Sequence, residues 1–221
     1  MKKTKILVPV YNDWQSAFKL LEEIDAHLEG WEADISVIII NDASLDKRPF
    51  NTPLLKNLKS IHVVNMKKNK GHARCNAAGL KYIDKKEDFD FVIVMDGDGE
   101  DRPAELGTLL CKGYENPDKV ITADRVKRSE GLFFKFCYFT HKFLTFVFTG
   151  KSIKFGNYSC LPKFAVNMMI KEPATWSSFS GSLAKTIQNR ESIPSTRGER
   201  YFGPSKMSFF NLLKHSLSII A

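Results

Sequence analysis

The chain has 221 residues, of which 43% are hydrophobic and 26% charged, so it can bury one sizeable core and is no disordered polymer. Its 33 Lys and Arg against 25 Asp and Glu give a net charge of +8, unevenly spread. Residues 1–110 carry 16 basic and 18 acidic side chains and the remainder 17 and 7, so the C-terminal half is the part suited to nucleic acid, an anionic membrane or phosphorylated substrates.

Up to about residue 123, short β-rich runs alternate with helix-like segments, the pattern of a mostly parallel sheet flanked by helices. Strands are predicted over Lys5–Pro9, Ile35–Ile40, Ser60–Asn65, Phe91–Met95 and Lys119–Ala123. Helices are predicted over Trp14–Leu28, Pro53–Leu58, Gly71–Ile83 and Pro103–Tyr114, the last with its proline in the first turn. Ligands of such sheets sit beyond the C-terminal strand edges. The polar clusters fall there: Tyr11-Asn12-Asp13, Asn41-Asp42-Ala43-Ser44 and Asp96-Gly97-Asp98.

From Gly131 to Gly150 the composition changes to seven Phe and one Tyr. On a helix, Lys135, Tyr138, His141, Lys142, Thr145 and Thr149 share a stripe and the Phe side chains cover the rest. Its charges make a membrane span a poor fit, leaving a helix in the lipid headgroup region or one packed on the sheet. The final segment from Met207 repeats the pattern, with Ser208, Asn211, Lys214, His215 and Ser218 on one side.

Cys75, Cys111, Cys137 and Cys160 lie far apart with no CxxC pair, against a zinc site or a dense disulfide framework and consistent with a reducing compartment. The apolar run Ile6–Val10 is too short for a signal peptide or a span, so the chain is expected on the cytoplasmic side.

In DFDFVIVMDGDGEDRP a buried-strand pattern ends in Asp96, Asp98, Glu100 and Asp101. Four carboxylates so close repel one another, and Mg²⁺ or Mn²⁺ would relieve this while leaving room for phosphate oxygens. An acidic cap on the following helix is the alternative.

The segments VPVYND, IIINDAS, NKGHARCNAAGL and VMDGDGEDRP, in this order and spacing, resemble the family 2 glycosyltransferases of the GT-A fold, in which a nucleotide-diphosphate sugar sits over a metal bound by a DxD motif. ITADRVKRSEG, the aromatic stretch and RYFGPSKMSFF extend the resemblance to the subgroup containing dolichol-phosphate mannosyltransferase and bacterial polyprenyl-phosphate glycosyltransferases. The resemblance implies a nucleotide-sugar core over residues 1–128 and an acceptor-side, membrane-proximal part of the same catalytic domain over 129–221. It implies an inverting, metal-dependent hexosyltransferase on the cytoplasmic face of a membrane, peripheral or anchored by a segment beyond residue 221.

Carried over by position, Pro9, Tyr11 and Asp13 belong to the nucleotide pocket, although the family more often has Glu where Asp13 stands. Asp42 accepts a hydrogen bond from the base or ribose, while Asn41 replaces a commoner Asp. Gly71 and Arg74 lie near the nucleotide. Asp96 and Asp98 bind metal and sugar diphosphate, Asp98 by direct coordination.

Arg125 and Arg128, before the aromatic stretch, and Arg197, Arg200 and Lys206, before the last segment, suit an acceptor phosphate at a membrane surface. A polyprenyl phosphate, with a second pKa of about 6, is already an anionic nucleophile at neutral pH. Asn157 stands where relatives often have Asp and cannot serve as a base. A hydroxyl acceptor on a lipid-linked glycan or surface polysaccharide would instead need Glu100 or Asp101 as base. No nucleic-acid motif accompanies the basic half, so nucleic acid is not an expected partner. A degenerate, nucleotide-binding but non-catalytic chain is the remaining alternative, favoured by Asn41 and Asn157 and opposed by Asp96 and Asp98.

Overall fold

The computed structural model describes residues 1–49, 53–125 and 155–203. Strand β1 (Lys3–Val10) leads to helix α1 (Trp14–His27), then β2 (Asp34–Asn41), β3 (Ser60–Asn65) and α2 (His72–Lys86). Next come β4 (Phe91–Val94), a 3₁₀ turn at Pro103–Glu105 running into α3 (Leu106–Glu115), and β5 (Val120–Arg125). Residue 155 opens β6 (Phe155–Pro162), followed by α4 (Lys163–Met169), a 3₁₀ turn at Pro173–Trp176, α5 (Phe179–Thr186) and β7 (Arg190–Ser195).

The seven strands form one sheet in the order β3-β2-β1-β4-β6-β5-β7, parallel except where β6 pairs antiparallel with β4 and β5. β1, β2 and β4 are near-continuous apolar runs because helices cover both their faces. One core layer packs α1 and α3, through Trp14, Leu20, Ile24, Leu106 and Leu110, on Ile6, Val8 and Ile39. The other packs α2, α4 and α5, through Leu80, Ile83, Val166 and Leu183, on Leu7, Ile38 and Val92. Gly79 brings α2 so close to β1 that a Cβ there would lie 2.3 Å from Leu7 Cδ1.

All five predicted strands are present within two residues of their expected ends. The predicted helix over Pro53–Leu58 is absent, because the backbone there is claimed from outside. The buried Asp25 carboxylate on α1 accepts from the amides of Lys56 (3.0 Å), Asn57 (2.8 Å) and Leu58 (2.8 Å), leaving them unavailable to a helical ladder. β6, α4, α5 and β7 went unpredicted in the segment expected to face the acceptor, and β6 and β7 complete the same sheet. The predicted aromatic helix, the final helix, Arg128 and Lys206 lie outside the described residues.

Candidate active site

The C-terminal ends of β1, β2, β4 and β5 and the N-terminus of the antiparallel β6 meet at one edge of the sheet, where a cleft of about 600 Å³ opens. Pro9, Tyr11, Asp13, Asp42, His72, Asp96, Asp98, Glu100, Arg125, Asn157, Arg197 and Arg200 line it, joining chain segments as far apart as Pro9 and Arg200. Such an edge is where ligands of doubly wound sheets bind.

The turns beyond β1 and β2 are sewn together. Asn12, in a left-handed conformation (φ 50°), accepts from the Leu45 amide (2.7 Å) and donates its own N–H to Ser44 Oγ (2.9 Å). Asn41 accepts from the Ser44 amide (3.0 Å) and donates to Asn65 Oδ1 (2.8 Å), so it ties β2 to β3. Asp42 is buried and receives the amides of Lys70 and Gly71, both at 2.8 Å. That anchor fixes Gly71 at φ 85°, a backbone state glycine tolerates, immediately before α2. Arg74, on the same helix, is exposed, contacts the Lys70 carbonyl (3.4 Å) and does not line the cleft.

The four acids after β4 fan out instead of converging. Asp101 is buried behind the turn, where its Oδ2 accepts from the Asp96 amide (2.9 Å) and its Oδ1 lies 3.6 Å from Arg125. Burial and the neighbouring Asp96 charge push its pKa well up, beyond what Arg125 and the amide recover. Glu100 pairs with Arg197, and Asp98 pairs with Arg200, which also reaches Asp13 (3.0 Å). Asp98 is raised by burial and by Asp96, with Arg200 and the Glu100 amide opposing. Asp96 goes the other way. Burial alone would raise it, but His72, Arg125 and Asn157 hold its carboxyl well below the usual range.

The four carboxylates therefore do not converge, and among the described residues no three acidic, His or Cys side chains surround one point. Asp96, Asp98 and Glu100 line the cleft beyond β4, and the first two, as hard oxygen donors, would suit a Mg²⁺ or Mn²⁺ ion whose remaining ligands diphosphate oxygens and water could supply.

A strap over residues 196–203 closes one side. The amides of Gly198 and Tyr201 donate to the carbonyls of Glu100 (2.8 Å) and Asp98 (3.0 Å), and the Tyr201 hydroxyl donates to Glu23 (2.6 Å). Arg197 and Arg200, expected on the acceptor side, are thus drawn onto the same turn as the acids expected to meet the donor. Arg125 lines the cleft as well.

His72 does not stand out in the sequence, where it reads as one polar residue in KGHARCN. In the structure its Nε2 lies 2.7 Å from Asn157 Nδ2 and 3.3 Å from Asp96 Oδ1. Burial disfavours its charge, but Asp96, Asp101 and Asp98 outweigh this and raise its pKa. Its only sequence signal is its place one residue after a glycine at a helix start. Cys75, Cys111 and Cys160 are free thiols.

A model of the glycosyl transferase family 2 matches residues 5–175. Over 219 residues the chain is 29% identical to an undecaprenyl-phosphate 4-deoxy-4-formamido-L-arabinose transferase of Klebsiella pneumoniae, covering 96% of this chain but 65% of that relative's length. Glucosyl-3-phosphoglycerate synthase from Mycobacterium tuberculosis, solved with Mn²⁺, UDP-glucose and phosphoglyceric acid, has the same fold at 12% identity and a TM-score of 0.66, over 99% of this chain and 77% of its own. A mannosyltransferase from Pyrobaculum calidifontis, solved with GDP-mannose and Mn²⁺, aligns at 14% identity and a TM-score of 0.58, over 97% of this chain and 63% of its own.

Proposed function

The chain belongs to glycosyl transferase family 2 and has the GT-A fold, and on that premise we propose that it transfers a sugar, with inversion, from a nucleotide-diphosphate sugar to a membrane lipid acceptor, a polyprenyl phosphate. The observation that carries this reading is that two carboxylates, Asp96 and Asp98, and three guanidinium groups, Arg125, Arg197 and Arg200, line one cleft at the strand edge. A bound Mg²⁺ or Mn²⁺ would neutralise charge on the departing diphosphate. Pro9, Tyr11 and Asp13 wall the side where the base and ribose fit. Arg125, Arg197 and Arg200 hold and orient anionic oxygens through charge-assisted hydrogen bonds. An ionised phosphate nucleophile needs no proton removed, which agrees with an amide at Asn157 and with Asp101 turned away from the cleft.

The relative from Klebsiella pneumoniae supports this acceptor class through its name. Among the described residues no helix is long and apolar enough to cross a membrane. The proposed setting is the cytoplasmic membrane face, with segments 132–149 and 207–220 supplying peripheral attachment. A hydroxyl acceptor remains the second reading because one candidate base, Glu100, does line the cleft.

Thermal-shift screening of nucleotide sugars with and without Mn²⁺ tests the donor half of the proposal. The expected result is a Mn²⁺-dependent rise in midpoint for one class of nucleotide sugar, lost in Asp98→Ala. Equal shifts in excess EDTA, or in Asp98→Ala, would contradict it.

A further inference from the structure

Asp96 is gripped from three separate elements. Asn157, near the start of β6, places its side-chain nitrogen 3.1 Å from Asp96 Oδ1 and 2.7 Å from His72 Nε2, while His72 Nε2 is 3.3 Å from the same Asp96 oxygen. From behind, the Asp96 backbone N–H is fixed on Asp101 at 2.9 Å. An amide nitrogen carries two N–H groups, so Asn157 donates to the Asp96 carboxylate and, in the tautomer that leaves His72 Nε2 unprotonated, to the imidazole as well. Once one carboxylate oxygen is fixed along with the backbone, the direction of the other oxygen is set too.

The imidazole is itself placed by the fold. His72 is the first residue of α2, directly after Gly71, whose amide is pinned 2.8 Å from the buried Asp42. A chain of interactions thus runs from Asp42 through Gly71 to His72, Asn157 and Asp96. The residue at 157 matters by its charge: a carboxylate there would set a second anion about 3 Å from Asp96, whereas the amide supplies a donor.

We infer that His72 and Asn157 are the positioning pair of this enzyme, holding the Asp96 carboxylate in the orientation in which it meets the divalent ion and sugar diphosphate. The inference rests on the proposed metal-dependent transfer. Groups that hydrogen-bond a ligating side chain orient it, and losing one costs about 10–100-fold in metal affinity or activity. A polar knot serving only the fold would affect unfolding and leave metal affinity alone.

The test is Mn²⁺ binding to the full chain, read from the loss of the free-ion electron paramagnetic resonance signal, for wild type, His72→Ala, His72→Gln, Asn157→Ala and Asp98→Ala. Thermal midpoints establish that each variant is folded. His72→Ala and Asn157→Ala should each weaken Mn²⁺ binding about 10–100-fold, and His72→Gln, which keeps a polar group near Asp96, should recover most of the loss. Where His72→Ala does not fold, Asn157→Ala and His72→Gln still decide. Wild-type affinity in the folded His72 and Asn157 variants, alongside loss in Asp98→Ala, overturns the positioning role alone. Absence of Mn²⁺ binding in wild type overturns the metal reading, and the positioning role falls with it.

Discussion

Replacing Gly198 by Ala should detach the strap over residues 196–203. A Cβ at 198 would lie 2.2 Å from the Gly99 carbonyl oxygen and 3.0 Å from Arg102 Cγ, and the first partner is backbone that cannot step aside. The strap must move by more than about 1 Å to relieve an approach that short, given an ordinary carbon–oxygen separation of roughly 3.3 Å. That movement breaks the amide bonds from Gly198 and Tyr201 and carries Tyr201 away from Glu23 and Arg200 away from Asp98 and Asp13. Each neutral hydrogen bond contributes about 1 kcal/mol and those to charged groups about 1.5–3 kcal/mol. Solvation of the released, partly exposed groups offsets much of this, leaving a destabilisation of roughly 2–4 kcal/mol. For a chain of this size the midpoint should fall by roughly 4–16 °C. Trypsin should cut faster at Arg197 and Arg200, and affinity for the phosphate acceptor should drop about ten- to a hundredfold for each charge-assisted hydrogen bond to phosphate that is broken. Calorimetry and timed proteolysis read the first two effects. An unchanged midpoint and cleavage rate would refute the claim that the strap is closed onto the acidic turn through Gly198.

Asp25→Ala should destabilise the protein by about 2–5 kcal/mol, since three backbone amides are deprived of a charged acceptor. Burial would raise the Asp25 pKa, but the amides of Lys56, Leu58 and Asn57 bring it below its ordinary value. Its stabilisation is therefore present above about pH 4 and lost as pH falls through the folded-state value. Urea midpoints of wild type and variant should converge in acid, and a constant gap would count against this. Gly79→Ala should cost about 1–3 kcal/mol by overpacking α2 on the buried Leu7, read as a lower thermal midpoint. Glu100→Gln should change the chemical rate little with a phosphate acceptor, whereas a drop of about 10²–10⁴-fold without loss of acceptor binding would make Glu100 a base for a hydroxyl.

Much of the nucleotide-binding half is legible in the sequence because its signals are local. Apolar runs such as ISVIII can only be buried strands here, and each polar cluster follows its strand directly. The turn at Pro53–Leu58 reads wrongly as a helix because its hydrogen bonds end on Asp25, some thirty residues away. β6 escapes for a similar reason: FGNYSCLP becomes a strand by slotting antiparallel between β4 and β5, a pairing invisible to periodicity. At the site, composition locates the acids but not their directions. Repulsion among four carboxylates is relieved partly by Arg197, Arg200 and Arg125, brought in by β5 and by the strap after β7. His72 gives no signal beyond its place after a glycine at a helix start, because its partners lie beyond β4 and on β6.

The most direct measurement is a side-by-side transfer assay with a labelled nucleotide sugar and Mn²⁺, offering polyprenyl phosphate in one reaction and a polyprenyl-diphosphate-linked glycan in the other. Label should pass into the polyprenyl phosphate, stop in EDTA and be absent with Asp98→Ala. Transfer to the glycan alone, or transfer that survives both EDTA and Asp98→Ala, would contradict a metal-dependent enzyme acting on a lipid phosphate.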